Sequence, residues 1–167
     1  MNTSPRPDTP TRCRATASPR AAAGFTLVDL VVVISIAVIL TTIAAPSFTA
    51  FIASQRARNA ATDLYVALIA ARSEATMRNT NVTLAPVSGG WKNGWTIADP
   101  AVSGRNVLDH GALAGAMVTG PDNVVFQRSG RVRGAAPSFT VTAAAGAATA
   151  TRCVLTDLSG RPYIQPC

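Results

Sequence analysis

Between Phe25 and Ala45 the chain runs for 21 residues with one charged side chain, Asp29. At about 1.5 Å per residue a helix of this length reaches roughly 31 Å, the thickness of a bilayer's hydrocarbon core. A chain of 167 residues has room for one modest domain beside such a span, not for two full domains. The run also accounts for a mean hydropathy of +0.25, high for a soluble protein. Ahead of it, residues 1–24 carry Arg6, Arg12, Arg14 and Arg20 against Asp8, and the remainder is mostly Pro, Ser, Thr and Ala. Such a segment buries no core and is expected to be disordered. Positive charge beside an apolar span stays in the cytoplasm, which sends the C-terminal part outward. Without those residues the chain keeps eleven Lys and Arg against seven Asp and Glu, a balance of +4. The overall charge of +7 is therefore a poor argument for a nucleic-acid partner.

The boundary of the span reads Ala23-Gly24-Phe25-Thr26-Leu27-Val28-Asp29-Leu30. It resembles the type III signal of type IV prepilins and type II secretion pseudopilins, usually Gly-Phe-Thr-Leu-Ile-Glu-Leu. The likeness covers about eight residues and extends through the apolar run to Pro46. It implies cleavage after Gly24 by prepilin peptidase, N-methylation at Phe25, and retention of the apolar run as the anchor. It also implies that Asp29, where the family has Glu, pairs with the amino terminus of a neighbouring subunit during assembly. A carboxylate in an apolar span is costly and marks a function; Asp29 keeps the charge and shortens the reach by one methylene. From the residues alone, an ordinary secretory signal cleaved near Thr42-Ile43-Ala44-Ala45 is the alternative.

Pro46 is expected to kink the helix rather than end it. Beyond it Phe48, Phe51, Ile52, Ala57, Ala61, Leu64, Leu68, Ala71 and Ala75 recur at helical steps, with Arg56, Arg58, Asp63, Arg72 and Arg78 largely elsewhere. The pattern predicts one helix from Phe25 to about Arg78, stopped by Asn79-Thr80-Asn81. Its outer half is either a core-facing stripe or a coiled-coil seam. The expected organisation is a leader at 1–24, a transmembrane helix at 25–45, an amphipathic stalk at 46–79 and a β-rich head at 80–167. Candidate strands are Val82–Ala85, Gly94–Ala98, Val107–Asp109, Val124–Gln127, Ser138–Ala143, Cys153–Thr156 and Tyr163–Gln165. Ala143–Thr149 reads as a hairpin tip. The fold class is α+β, a long helix packed on a small antiparallel, sandwich-like sheet system. Trp91-Lys92-Asn93-Gly94-Trp95 reads as a hairpin turn with Trp95 in the core, or as a stacking platform for a base or ligand.

Cys13 lies in the leader, whereas Cys153 and Cys167 fall in the last fifteen residues. An even pair in an exported region points to a disulfide, with two free thiols as the alternative. Nothing suggests an enzyme: there is no P-loop, no Gly-x-Ser-x-Gly and no metal-ligand cluster, and no cofactor is implied. His110 reads as a surface residue in a Gly-flanked loop. Asp99, Asp109 and Asp122 read as turn residues.

The short Trp-x-x-Gly-Trp element and the tail Arg152-Cys153 through Gly160-Arg161-Pro162-Tyr163 to Cys167 are similar to FimT/GspH-type minor pilins, FimT-like proteins above all. In those, a C-terminal Gly-Arg-x-Arg is linked to DNA binding. Tyr163 here stands in place of the last Arg, but an intact Gly130-Arg131-Val132-Arg133, preceded by Arg128, occurs earlier. It reads either as a DNA contact or as a turn with solvated arginines. The resemblance implies a minor pilin in the bacterial inner membrane, single-pass, its head in the periplasm, incorporated into a type IV pilus. Its partners would be prepilin peptidase, other major or minor pilins, the membrane and double-stranded DNA, with no small-molecule substrate. Arg161, Arg152, Arg131, Arg133 and Arg128 would carry the DNA contact. A GspH-like minor pseudopilin of type II secretion, with pseudopilins as partners, is the alternative, and a structural major pilin a third.

Overall fold

The computed structural model describes residues 26–167, without the side chains of 43–46. Gly24 and Phe25, Cys13 and the bend expected at Pro46 lie outside the described residues. One helix, α1, spans Leu27–Met77. Two compact units divide between Val38 and Ile39, within its sequence.

In the first unit α1 begins on a reciprocal cap. The Asp29 backbone N–H donates to Thr26 Oγ1 at 3.2 Å, while Thr26 N–H and O–H donate to Asp29 Oδ2 at 3.1 and 2.7 Å. Ser/Thr at the N-cap and an acid three residues on satisfy two orphan donors at once. From Leu27 to Val38 the Leu, Val and Ile side chains are exposed, so among the described residues this stretch serves no core.

In the second unit α1 is a core element. Ala53, Ala57, Ala60, Ala61, Leu64, Ala67, Leu68, Ala71 and Ala75 are buried along one face. Alanine dominates this stripe, which keeps the helix surface shallow and costs no side-chain entropy. The bulk comes from the sheets that cover it. The helix ends as a Schellman motif: Asn79 takes φ +52°, Thr80 N–H donates to Ala75 O and Asn79 N–H to Thr76 O.

Two four-stranded antiparallel sheets cover the stripe. The first is built from β1 (Val82–Pro86), β2 (Trp95–Ala98), β3 (Asn106–His110) and β5 (Val124–Phe126), in the order β3-β2-β1-β5. The second has β4 (Ala116–Thr119), β6 (Ser138–Ala145), β7 (Ala148–Thr156) and β8 (Pro162–Gln165), in the order β4-β6-β7-β8. Alternate residues face the helix: Val82 and Leu84, Trp95 and Ile97, Val124 and Phe126 from one sheet, Phe139, Val141, Val154 and Thr156 from the other. The apolar ones join the α1 stripe in a single core. Cys153 and Cys167 are bonded, Cα atoms 5.1 Å apart, pinning the end of β8 to β7.

Several expectations need correction. Phe48 and Phe51 are 65% and 62% exposed and Ile52 half-buried, so the core stripe starts at Ala53. Coverage by both sheets makes the stripe a core face and not a coiled-coil seam. Between Trp91 and Trp95 there is no tight Asn-Gly hairpin but a 3-10 turn, Trp91–Asn93. Strand β4 has no counterpart among the expected strands. The Ala143–Thr149 stretch is mostly strand, with the hairpin tip confined to Gly146-Ala147.

Candidate nucleic-acid interface

Two turns of the head share one design. After β5, Gly130 N–H donates to Gln127 O at 2.8 Å and Gln127 N–H to Arg131 O at 2.8 Å. Between β7 and β8, Gly160 N–H donates to Asp157 O at 2.9 Å and Asp157 N–H to Arg161 O at 3.1 Å. Each is a tight turn closed by a glycine in the left-handed region, φ +76° at Gly130 and +84° at Gly160, and each glycine is followed by an arginine.

The fold packs these turns against each other. A Cβ added at Gly160 would stand 2.0 Å from the Gly130 carbonyl oxygen and 3.2 Å from Arg72 Nε. Arg72, half-buried on α1, donates from Nε to that same Gly130 oxygen at 3.1 Å. A Cβ at Gly130 would meet Thr76 Cγ2 at 3.0 Å. One helical arginine and one carbonyl therefore join a turn of the first sheet to a turn of the second. Glycine is needed at Gly160 for space as well as for φ.

The candidate arginines distribute unevenly about this junction. Arg128, Arg131 and Arg133 from the first turn and Arg161 from the second are exposed around it, with Val132 buried between two of the exposed arginines as the bridge partner of Phe126. Arg152 does not belong. It shares the helix-facing side of β7 with Val154, is half-buried, and donates to the Thr151 carbonyl. Five residues along a strand also set it about 16 Å from the turn. Asp157 organises the second turn, its Oδ1 accepting from Ser159 Oγ at 2.6 Å and from Arg161 N–H at 2.9 Å. The bonds from Ser159 and then from Arg161 hold its carboxyl below the usual range, so it is ionised at neutral pH.

The remaining candidates take structural places. Trp95 is fully buried and Trp91 nearly so, with Trp91 Nε1 donating to Pro121 O at 2.7 Å, so neither ring is a surface platform. His110 is the last residue of β3 and no loop residue; its ring stacks on Trp95 at 4.1 Å and stands 3.6 Å from Asp63. Asp99, expected as a turn residue, is a buried hub. Its carboxylate accepts from Ala101 N–H at 2.9 Å, Arg105 Nε at 2.8 Å and Arg78 Nη1 at 2.7 Å. The Ala101 and Arg105 bonds lead in holding its carboxyl below the usual range, and the Arg78 and Arg105 pairs tie the end of α1 to the β2–β3 loop. Among the described residues no group of three or more His, Cys, Asp or Glu is placed to hold a metal. Sequence reasoning missed the roles of Arg72, Asp157 and Asp99. The signal for the first two is the repeated Ser-Gly-Arg at 129–131 and 159–161.

Comparison with known proteins bears on this architecture. A family model described as the type II transport protein GspH matches residues 60–160. No curated protein matches the chain. Among solved structures, the type IV minor pilin FimU of Pseudomonas aeruginosa strain PAO1 is similar in two crystal forms. One has a TM-score of 0.57 at 18% identity, covering 67% of this chain and 90% of that one. The other has a TM-score of 0.55 at 18% identity, covering 65% and 92%. At that identity the likeness is one of fold.

The junction predicts unequal costs at two glycines of like backbone. Gly134, φ +86°, has nothing within 4 Å of an added Cβ, so Gly134→Ala should cost about 1 kcal/mol for conformation alone. Gly160→Ala adds a clash with backbone and should cost about 3 kcal/mol or more. Denaturant melts of the two variants measure the difference, and equal costs would mean that the turns do not touch.

Proposed function

The chain belongs to the family of the type II transport protein GspH, and from that membership we propose that it is a FimT-like minor pilin of a type IV pilus. On this reading residues 1–24 are a cytoplasmic leader, removed after Gly24 by prepilin peptidase with methylation of Phe25. The apolar half of α1 anchors the subunit in the inner membrane, and the head lies in the periplasm until assembly with other pilins. Asp29 supplies the carboxylate for a neighbour's amino terminus. The observation that carries the reading is the division of labour along α1. Its first part exposes its large apolar side chains, while its second part is the core of a head with the fold of a minor pilin. Intact-mass analysis of the protein from a host with its own prepilin peptidase should give residues 25–167 plus one methyl group. A start after Ala44 or Ala45 would contradict it.

The head's task on this reading is weak, sequence-independent binding of DNA by the arginines of the two turns. Arginine presents a fixed fork of donors suited to phosphate oxygens, and phosphate contacts carry no sequence information. Support comes from the way Arg128, Arg131, Arg133 and Arg161 surround one junction, while Arg152 turns away. With so few contacts the affinity for duplex DNA should be micromolar or weaker, with a log–log salt slope near −0.9 per phosphate engaged. Arg161→Ala and Arg131→Ala/Arg133→Ala should each weaken binding and flatten that slope by about one unit for every phosphate no longer held. Gel-shift titrations at low and high salt measure both. The second reading, a GspH-like pseudopilin of type II secretion, is favoured by the family's description. A head that binds no DNA at low salt would select it.

A further inference from the structure

The aromatic rings of the two sheets and their connections are divided sharply by burial. Trp91, Trp95, Phe126 and Phe139 are buried, and Tyr163 is exposed, at 45%. Tyr163 is two residues after Arg161 and lies in β8. Its neighbour Pro162 pairs with the buried Thr156, so residues 161 and 163 share the sheet's outer face. Across the ladder Tyr163 pairs with Leu155, which is half-buried and gives the ring an apolar flank. Beyond it Gln165 pairs with Cys153, whose disulfide to Cys167 ties down a four-residue edge strand. At the other end of the strand, Leu158 stands exposed at the tip of the turn.

A ring held in this way, two residues from the exposed Arg161, has a use that a duplex cannot exploit. In duplex DNA the base faces are occupied by their stacked neighbours, and only phosphates, sugars and groove edges meet a protein surface. An unpaired strand offers both a phosphate for a guanidinium and a base face for an aromatic ring. Combining basic and aromatic side chains is how sequence-tolerant single-strand binding is built. The arginine-bearing turns alone treat the two forms of DNA alike, and Tyr163 breaks the tie.

We propose that the paired Ser-Gly-Arg turns and Tyr163 form a site for single-stranded DNA, in which arginines take phosphates and Tyr163 stacks on a base. The proposal rests on the DNA-binding reading and adds the form of DNA bound. It also assigns a role to the departure at position 163: where an arginine would add one more phosphate contact and favour a duplex, tyrosine adds a stacking face.

The test is a fluorescence-anisotropy titration of the full chain in non-ionic detergent, disulfide intact. The probes are a labelled oligothymidylate of about 16 nucleotides and a duplex of the same length. The oligothymidylate should bind more tightly at equal salt. Tyr163→Ala should weaken it about tenfold and leave the duplex nearly unchanged, whereas Tyr163→Phe should keep the preference. Tyr163→Arg should raise duplex affinity, steepen its salt slope by about one unit and abolish the preference. Equal binding of both probes by the wild type, or an equal loss on both with Tyr163→Ala, overturns this proposal and leaves the DNA-binding reading standing. Binding of neither probe at low salt removes the DNA-binding reading itself, and this proposal with it.

Discussion

The head is organised by the shallow face that α1 offers. Seven alanines and two leucines line its buried stripe, so two sheets reach the helix with their own large side chains, Trp95, Phe126 and Phe139, filling the space between. Larger residues on the helix would hold the sheets off. Close approach is what allows the half-buried Arg72 to reach a carbonyl in a turn of one sheet, and that turn to meet its counterpart from the other. Burying a guanidinium's polar atoms demands partners, and the Gly130 carbonyl is one. The packing of the core and the geometry of the candidate interface are consequences of one sequence choice.

The same helix changes its exposure along its length. From Leu27 to Leu40 its large side chains are apolar and exposed, and its carboxylate, Asp29, is engaged by the cap residue Thr26. From Ala53 onward an alanine-rich stripe turns inward, while charged residues lie on the outside or reach across to the sheets, as Arg56 does to the Ala144 carbonyl at 2.9 Å. A membrane would cover the first stretch and the sheets cover the second, which is the economy of a pilin-like subunit.

Much of this was legible from the residues. Helical spacing at Leu64, Leu68, Ala71 and Ala75 located the core face, because a buried stripe must repeat near 3.6 residues. Asn79 ended the helix as a residue that tolerates the left-handed region at little cost. Most strands stood out as β-branched runs between turn residues. Three things did not. Strand β4 alternates in burial but not in hydrophobicity, since the exposed Met117 stands between the buried Ala116 and Val118. Ala143–Thr149 has alanines in place of β-branched residues, so pairing with a long neighbour, not propensity, makes it strand. Phe48 and Phe51 match the helical period, but it is Thr49 that meets the β6–β7 tip, 3.7 Å from a Cβ added at Gly146, and both rings stay exposed. Of the interface, the arginines were readable as Gly-Arg motifs. Their union was not, since residues 130 and 160 meet only through tertiary packing, and neither was the buried role of Asp99, whose partners Arg78 and Arg105 lie far apart in sequence.

The central claim is that one interaction, from Arg72 to the Gly130 carbonyl, holds both arginine-bearing turns as a single surface. Native-state amide hydrogen exchange of wild type and Arg72→Ala measures it directly, through the Gly130 and Gly160 N–H groups that close the two turns. The account predicts that both amides lose protection together in the variant while those of β6 and β7 keep theirs. Loss at Gly130 alone, with Gly160 unchanged, would contradict it.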